Sequence, residues 1–188
     1  MDILNKNELE LHFEEIVKKI KGGAVFIHPS DTIYGLGCNA LDEKAVTKIR
    51  KMKDRPDTPF SIWVPSLDWV SKNCTLNDEA KQALSHLPGA YTIILPLKET
   101  KAVAKLVHPK NDSIGIRFPD HWFGKIVEKL GFPIVTTSVN KVGQSFMTSL
   151  ANLDSDIQVG VDFAIYEGAK EAHPSKIVDT TTGKVKER

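Results

Sequence analysis

Apolar positions along the chain repeat at helical spacing in several stretches, which predicts amphipathic helices. Residues 8–21 carry one such stripe, and Gly22-Gly23 ends it. The stripe consists of Leu9, Phe13, Ile16, Val17 and Ile20. Longer helices are also predicted to begin at Asp42 and at Asp120, and short ones over 67–72, 77–87 and 150–153, the last capped by Thr148.

Short runs of apolar, β-branched and aromatic residues between these stretches predict strands. The runs cover residues 24–27, 60–64, 91–95, 113–118, 133–137, 163–166 and 176–179. Helices and strands alternate irregularly, and no repeat or linker interrupts them. The sequence therefore predicts one α/β domain over residues 1–188, with a twisted, open, mixed sheet flanked by helices.

Composition and charge argue against several classes of protein. The 188 residues include 25 Lys+Arg and 24 Asp+Glu, for a net charge of +1, so no overall field attracts nucleic acid or a membrane. Cys38 and Cys74 form neither a metal-ligand cluster nor a disulfide framework, which favours a reducing compartment. No signal peptide or membrane-spanning run is recognisable, so we expect a cytoplasmic protein.

A loop punctuated by glycines follows the first predicted strand and carries hydroxyl groups at alternate positions. In an extended backbone Ser30, Thr32 and Tyr34 would lie on one side. Gly35 and Gly37 would allow the backbone to approach a neighbour closely. The loop predicts either one wall of a small-ligand pocket or a plain polar connection.

Lys53 and Arg55 form a pair of cations just before Pro56. Because proline disfavours helical geometry at the residue before it, the chain should extend here and direct both cations to one side. A guanidinium fork and an ammonium on one wall suit a polyphosphate or a carboxylate. The competing interpretation is that these basic residues only complement the dipole at a helix C-terminus.

Ser138 and Asn140 have the same one-residue spacing and follow another predicted strand. Their hydroxyl and amide groups would suit ribose or phosphate oxygens. Serine and asparagine are also common turn residues, so a simple capped turn is the alternative.

Arg117 and Ser175 are two further candidates. Arg117 lies on an apolar strand, where an unpaired guanidinium would be costly to bury, so it needs an anion. That anion would be a ligand, or an internal carboxylate such as Asp120 or Asp179. Ser175 offers another hydroxyl at a strand edge, unless it is an exposed loop residue.

Several familiar catalytic motifs are absent from the sequence. It contains no GxxxxGK[ST], GxGxxG, HExxH or GxSxG. We therefore expect neither a standard nucleotide-binding loop nor a protein-bound metal. The hydroxyls and cations that remain suit binding, orientation and charge neutralisation better than covalent catalysis.

Six short motifs occur in the same order as in the YrdC family of threonylcarbamoyl-AMP synthases, which this chain resembles. They are HPSDTIYGLG (28–37), KDRP (53–56), LPGAYT (87–92), SIGIRFP (113–119), TSVN (137–140) and PSKIVD (174–179). They are similar to the family's PTDTxYGLG, KxRP, PGPxT, xVxVRxP, SxN and PSTxxD. Each motif alone is weak, but six in order are specific.

The resemblance implies both a fold and a reaction. The fold would be a twisted open sheet around a large, concave, positively charged cavity. The reaction would convert L-threonine, bicarbonate and ATP, with Mg²⁺ on the nucleotide, into L-threonylcarbamoyladenylate and pyrophosphate. A downstream threonylcarbamoyl transferase complex would use the product to modify adenosine 37 of tRNA.

The resemblance also implies roles for individual residues. L-threonine would be bound by Thr32, Arg117, Ser138 and Ser175. ATP would be bound by Lys53, Arg55, Ser113, Asn140, Thr148 and Arg188. The catalytic residues among these would be Lys53, Arg55, Ser138 and Asn140.

The chain departs from the family pattern at a few positions. Trp63 lies near a histidine that contacts substrate in some members, a change that bears on threonine affinity. Phe146 lies in a segment that lacks the family's prolines, and Lys176 replaces the threonine of PSTxxD. The length corresponds to the short, single-domain type.

Two other functions stay open. A non-catalytic module could bind double-stranded RNA or tRNA through the basic run between Lys44 and Arg55, although Asp42, Glu43 and Asp54 lie in the same stretch. YrdC-like domains of hydrogenase maturation proteins form a different carbamoyl-adenylate, but they belong to much longer chains.

Overall fold

Ten strands pair side by side in one mixed sheet within residues 1–110 and 112–187, which the computed structural model describes. They are β1 (Asp2–Leu4), β2 (Phe26–His28), β3 (Gly35–Gly37), β4 (Ser61–Trp63), β5 (Tyr91–Pro96), β6 (Ser113–Arg117), β7 (Ile134–Ser138), β8 (Phe163–Ile165), β9 (Lys176–Asp179) and β10 (Lys184–Lys186). Their order across the sheet is β1-β8-β2-β3-β7-β4-β6-β5-β9-β10. The pairs β1–β8, β2–β8, β4–β6 and β5–β9 are parallel and the other pairs antiparallel.

Seven α-helices connect the strands within the described residues, and most of them follow a residue suited to N-capping. They are α1 (Lys6–Leu11), α2 (Phe13–Lys21), α3 (Glu43–Lys53), α4 (Leu67–Asn73), α5 (Asp78–Leu84), α6 (Gly124–Leu130) and α7 (Ser155–Gly160). Side-chain oxygens of Asn5, Asp42, Ser66, Asn77 and Asp154 accept backbone N–H groups of the first turn. None of the described helices is long and apolar enough to cross a bilayer.

The strand residues divide between two hydrophobic cores. Successive residues of the central strands belong to opposite cores, as in Phe26 and Ile27 of β2 or Ile62 and Trp63 of β4. Because successive side chains of a strand point to opposite faces, the two cores lie on the two faces of the sheet. Helices α1, α2 and α6 pack into one core, and α3, α4, α5 and α7 into the other. The predicted α/β class, with a mixed sheet flanked by helices, is confirmed.

Some local predictions are wrong. The predicted helix over 8–21 is interrupted at His12, which ends α1 and precedes α2. Asp120 does not cap the next long helix, because α6 begins four residues later and the Asp120 N–H donates to Asp31 Oδ2 at 3.1 Å. The predicted helix over 150–153 is a 3₁₀ helix over Leu150–Asn152 with Ser149 at its N-cap position, so the assignment of Thr148 as its cap is one residue off.

Strand β3 passes directly over a buried histidine, and its glycines make this approach possible. The His28 side chain is fully buried and stacks on Phe123, with ring centroids 5.3 Å apart. A Cβ atom on Gly35 would lie 2.5 Å from the His28 ring, and one on Gly37 would lie 3.0 Å from it. Burial lowers the pKa of His28 to about 3, so the ring is neutral and its Nδ1–H donates to Pro29 O at 3.1 Å.

We expect Gly35→Ala to lower the free energy of unfolding by about 1–3 kcal/mol, because the added methyl group overpacks the His28 ring. Urea denaturation monitored by circular dichroism measures the change. Gly124→Ala is the matched control, since its Cβ would meet Trp63 at an ordinary 3.7 Å. Equal stabilities for the two variants would contradict this account.

Candidate functional site

A cavity of about 180 Å³ lies over the middle of the sheet. Its lining is dominated by hydroxyl groups, contributed by Ser61, Thr92, Thr136, Thr137, Ser138 and Ser175. Two guanidinium groups, those of Arg55 and Arg117, also line it. The cavity therefore combines neutral hydrogen-bonding groups with a local excess of cations, as an anionic small molecule requires.

The strand register explains why the hydroxyls converge. Ser61 on β4 lies opposite Thr136 on β7 and opposite Gly115 on β6. Residues directly opposite in a sheet project from the same face, so this row points into the cavity. A Cβ atom on Gly115 would lie 2.8 Å from Ser61 Oγ and 3.1 Å from Thr92 Cγ2. The glycine thus leaves room between two hydroxyl-bearing side chains.

Arg117 at the end of β6 is held by an internal carboxylate. Its Nη2 donates to Asp31 Oδ1 at 2.8 Å, and both side chains are about nine-tenths buried. The second Asp31 oxygen accepts the Asp120 N–H, so one carboxylate fixes both the arginine and the loop after β6. Asp31 is therefore an internal partner of Arg117, and it was not among the candidates, Asp120 and Asp179, that the sequence suggested. The Asp179 carboxylate instead accepts from Thr181.

Lys53, the last residue of α3, is a buried cation surrounded by oxygen atoms. Its Nζ donates to the carbonyl oxygens of Ser138 and Asn140, the latter at 2.6 Å, and lies 3.3 Å from Asn140 Oδ1. Burial, with a smaller effect of nearby Arg55, lowers the pKa of Lys53 to about 7. The structure thus joins the end of α3 to the segment after β7, with the ammonium directed at backbone carbonyls.

Arg55 lies two residues after the end of α3, where the chain turns sharply. Asp54 adopts a left-handed conformation, with φ of 49°, which ends the helix. The Arg55 guanidinium donates to Pro59 O at 2.7 Å and to Thr137 Oγ1 at 3.4 Å. It therefore reaches the cavity beside the end of β7.

Ser138 and Asn140 form a compact turn at the same edge. Ser138 Oγ donates to Asn140 Oδ1, and Asn140 Nδ2 donates to Gln144 O at 2.7 Å. Ser138 itself lines the cavity. The structure therefore brings Lys53, Arg55, Ser138 and Asn140 together.

The predicted wall of three alternating hydroxyls in the loop after β2 is wrong. The loop bends at residues 31–33, so Ser30 and Thr32 turn inward and their hydroxyls lie 3.0 Å apart. Tyr34 does line the cavity, but its hydroxyl donates to Gly168 O at 2.6 Å and accepts the Glu167 N–H. Burial raises the pKa of Tyr34 to about 12, so this hydroxyl keeps its proton.

The segment after β8 is tied to this loop and leads to Ser175. Glu167 accepts hydrogen bonds from Trp122 Nε1 at 2.7 Å and from Lys170 Nζ at 2.6 Å. Lys170 also donates to Ser30 O at 2.9 Å. These contacts fix the course of the chain toward Ser175, whose side chain is buried at the cavity.

Two predicted nucleotide contacts, Ser113 and Thr148, do not line the cavity. Ser113 lies at the opposite end of β6 from Arg117. The Thr148 backbone binds Asn152 and Lys170, with its N–H 3.0 Å from Asn152 Oδ1. Arg188 lies outside the described residues.

Two departures from the family pattern fall in different places. Trp63 is fully buried and packs against His28 and Phe123, so this change belongs to the core and not to the cavity wall. Phe146, in contrast, lines the cavity. The second position is therefore where this chain can differ in what it binds.

The basic run on α3 does not form one continuous surface. Arg50 is 5% exposed and donates to backbone carbonyls, including Leu106 O at 2.7 Å. Lys53 is also buried. Two cations of the basic run that suggested RNA binding are therefore buried and do not contribute to a basic surface.

Within residues 1–110 and 112–187, no group of three His, Cys, Asp or Glu side chains is arranged to hold a metal ion. The Asp31 carboxylate, close to the cavity, is bound to Arg117.

Residues 18–187 match the family model for Sua5, YciO and YrdC proteins, described as telomere recombination. The chain belongs to this family. The resemblance inferred from the six motifs is thereby confirmed.

Individual relatives agree with the family match. A Methanocaldococcus jannaschii protein provisionally named a threonylcarbamoyl-AMP synthase is 36% identical over 186 residues, covering 97% of this chain and 86% of the relative. The structure of P. abyssi Sua5 complexed with L-threonine is 27% identical, with a TM-score of 0.83 over 96% of this chain. This chain spans 54% of that Sua5 chain, about half of its length. E. coli YciO is 26% identical, with a TM-score of 0.81 over 95% of this chain and 88% of YciO.

Sequence reasoning missed Asp31, Ser61 and Thr136 as parts of the site. Asp31 lies inside a recognised motif, and an acid in that loop was a signal that Arg117 had a partner there. Ser61 on β4 and Thr136 on β7 give no such signal in the sequence. Only the register of the strands shows that their hydroxyls face the same cavity.

We expect the native protein to gain stability relative to a Lys53→Met variant as the pH rises from about 7 to 10. Since the folded pKa of Lys53 is lowered to about 7, the folded state releases this proton where the unfolded lysine, with a pKa of 10.5, still holds it. Urea denaturation across this pH range measures the difference. Lys51→Met, an exposed position on the same helix, is the control, and identical pH slopes for both variants would contradict a buried, titrating Lys53.

Proposed function

We propose that this protein is an L-threonylcarbamoyl-AMP synthase. It would use L-threonine, bicarbonate and ATP and release pyrophosphate. The observation that carries the proposal is the convergence of Arg55, Arg117 and the Ser138–Asn140 turn on one cavity, in a member of this family. The name of the M. jannaschii relative and the threonine bound to P. abyssi Sua5 support the same reaction.

The amino acid would occupy the enclosed part of the cavity. A volume of about 180 Å³ is below the roughly 300–1,000 Å³ of pockets that enclose drug-sized ligands, and it suits an amino acid better than a nucleotide. Arg117 would bind the carboxylate, because a guanidinium offers two parallel donors to it. Ser138 and Ser175 would add hydroxyl contacts, and Thr32 would support the loop through its bond to Ser30.

ATP would extend outward from this cavity along the Ser138–Asn140 turn. Arg55 would contact the phosphates, and Lys53 would hold the turn that binds them. Nearby phosphates would favour the protonated form of Lys53, which would then add positive charge. Phe146 and Thr148 lie on the segment that follows the turn, and Ser113 and Arg188 are assigned to ATP by the family resemblance alone. Mg²⁺ would arrive on the ATP phosphates and neutralise part of their charge.

The chemistry would need no protein nucleophile. The threonine nitrogen forms a C–N bond with bicarbonate, water is lost, and a carbamate oxygen then attacks the α-phosphorus. Pyrophosphate leaves as the bond to the β-phosphate oxygen breaks. Arg55 and the Lys53-held turn would stabilise the charge that develops on the phosphates, and alignment of the two substrates would supply most of the rate enhancement.

The product would pass to a downstream threonylcarbamoyl transferase complex that modifies adenosine 37 of tRNA, with the cytoplasm as the proposed location. Residues 1–188 would act as one catalytic domain. Weak contact with tRNA would accompany transfer of the product but would not be the primary function.

The direct test is pyrophosphate release by purified protein with Mg²⁺-ATP. Release should require both L-threonine and bicarbonate, and mass spectrometry should detect the adenylate. Protein that is folded by circular dichroism but releases no pyrophosphate above background would overturn the proposal.

We expect the two cavity arginines to affect different substrates. Arg55→Gln should raise the KM for ATP about 10- to 100-fold, since a charge-assisted hydrogen bond contributes about 1.5–3 kcal/mol. An Asp31→Asn, Arg117→Gln double variant should instead raise the KM for L-threonine by a similar factor, without leaving a buried charge unpaired. Steady-state kinetics with each substrate varied separately measures both effects, and Lys44→Gln on the exposed face of α3 is the control.

The assignment of the two arginines would be wrong if both variants raised the two KM values equally. That result would point to a general distortion of the cavity.

A further inference from the structure

Two buried hydroxyl groups from neighbouring strands face each other at the cavity. Thr92 on β5 and Ser175, just before β9, are only 2% and 3% exposed. Thr92 Oγ1 and Ser175 Oγ lie 2.7 Å apart, and both residues line the cavity. Of the two, Ser175 has a role predicted from the family motif, whereas Thr92 has none.

The backbone brings the two residues together and leaves little freedom. Strands β5 and β9 are parallel, with Tyr91 opposite Lys176, and the Lys176 N–H donates to Ala90 O at 3.0 Å. The positions of the two Cα atoms are therefore fixed by the sheet.

The absence of a side chain at Gly115 helps to set the Thr92 rotamer. The Thr92 methyl group lies 3.1 Å from where a Cβ on Gly115 would be, so it occupies space that any other residue would fill. A β-branched side chain has few allowed χ1 positions. With the methyl group toward Gly115, the hydroxyl is directed at Ser175.

We propose that Thr92 is a positioning residue for amino-acid binding, acting by holding the Ser175 hydroxyl in its binding orientation. The inference rests on the proposed function, because it assumes that Ser175 contacts the amino acid. A serine hydroxyl rotates about χ1, and fixing it before the substrate arrives reduces the entropy lost on binding. Thr92 thereby raises affinity for the amino acid and leaves ATP binding unchanged.

A purely structural role for Thr92 is the competing explanation, and valine distinguishes the two. Valine has the shape of threonine and packs equally well in a strand, but it cannot hydrogen-bond. Thr92→Ser keeps the hydroxyl and loses the methyl group. The two variants therefore separate the hydrogen bond from the packing.

The experiment measures L-threonine binding by isothermal titration calorimetry and the KM values for L-threonine and ATP. Thr92→Val should weaken L-threonine binding and raise its KM about three- to tenfold, as expected for loss of one hydrogen bond. The KM for ATP should stay within about twofold of the native value, and Thr92→Ser should restore most of the threonine affinity. Thr47→Val, on α3 away from the cavity, controls for the exchange itself, since the Thr47 hydroxyl donates to Glu43 O.

Three results would overturn the inference. Native threonine affinity in Thr92→Val would show that the hydroxyl pair does not act in binding. Equal losses for L-threonine and ATP would indicate a distorted cavity instead of a positioned hydroxyl. If the native protein neither binds L-threonine nor releases pyrophosphate, the proposed function itself fails and this inference fails with it.

Discussion

The site depends on one buried contact, between the Lys53 ammonium and the oxygens of the turn after β7. Burying a cation is unfavourable unless polar partners replace its water, and here Ser138 and Asn140 supply carbonyl and amide oxygens. The contact joins the end of α3 to the edge of the sheet. Arg55 leaves the helix at this junction, so its guanidinium is delivered to the cavity by the same contact.

A second fixed contact, between Asp31 and Arg117, sets the other cation of the cavity. Both arginines are held before any ligand arrives, by Pro59 and Thr137 in one case and by Asp31 in the other. Charge that is oriented in advance needs no reorganisation when a substrate binds or reacts. The rigid sheet beneath these side chains keeps that orientation.

The sequence could predict the parts of this arrangement that reside in local spacing. The α/β class and most strands followed from periodicity, whereas the association of Lys53 and Arg55 with Ser138 and Asn140 was implied only by the family resemblance. It could not predict β3, because Gly35 and Gly37 have low strand propensity and pair only in the context of β2 and β7. Nor could it predict the pairing of Asp31 with Arg117, since 86 residues separate them. The prediction that the Ser30 and Thr32 hydroxyls line the cavity failed for a local reason, because the loop bends where an extended chain was assumed.

The buried His28 has a consequence for how the protein responds to acidity. Histidine is ordinarily the side chain that changes charge near neutral pH, but here the ring is sealed beneath β3 with a pKa of about 3. The His28 ring therefore stays uncharged throughout the physiological pH range. The loop that carries Asp31 is consequently built on a support whose charge is the same in mildly acidic and mildly alkaline surroundings.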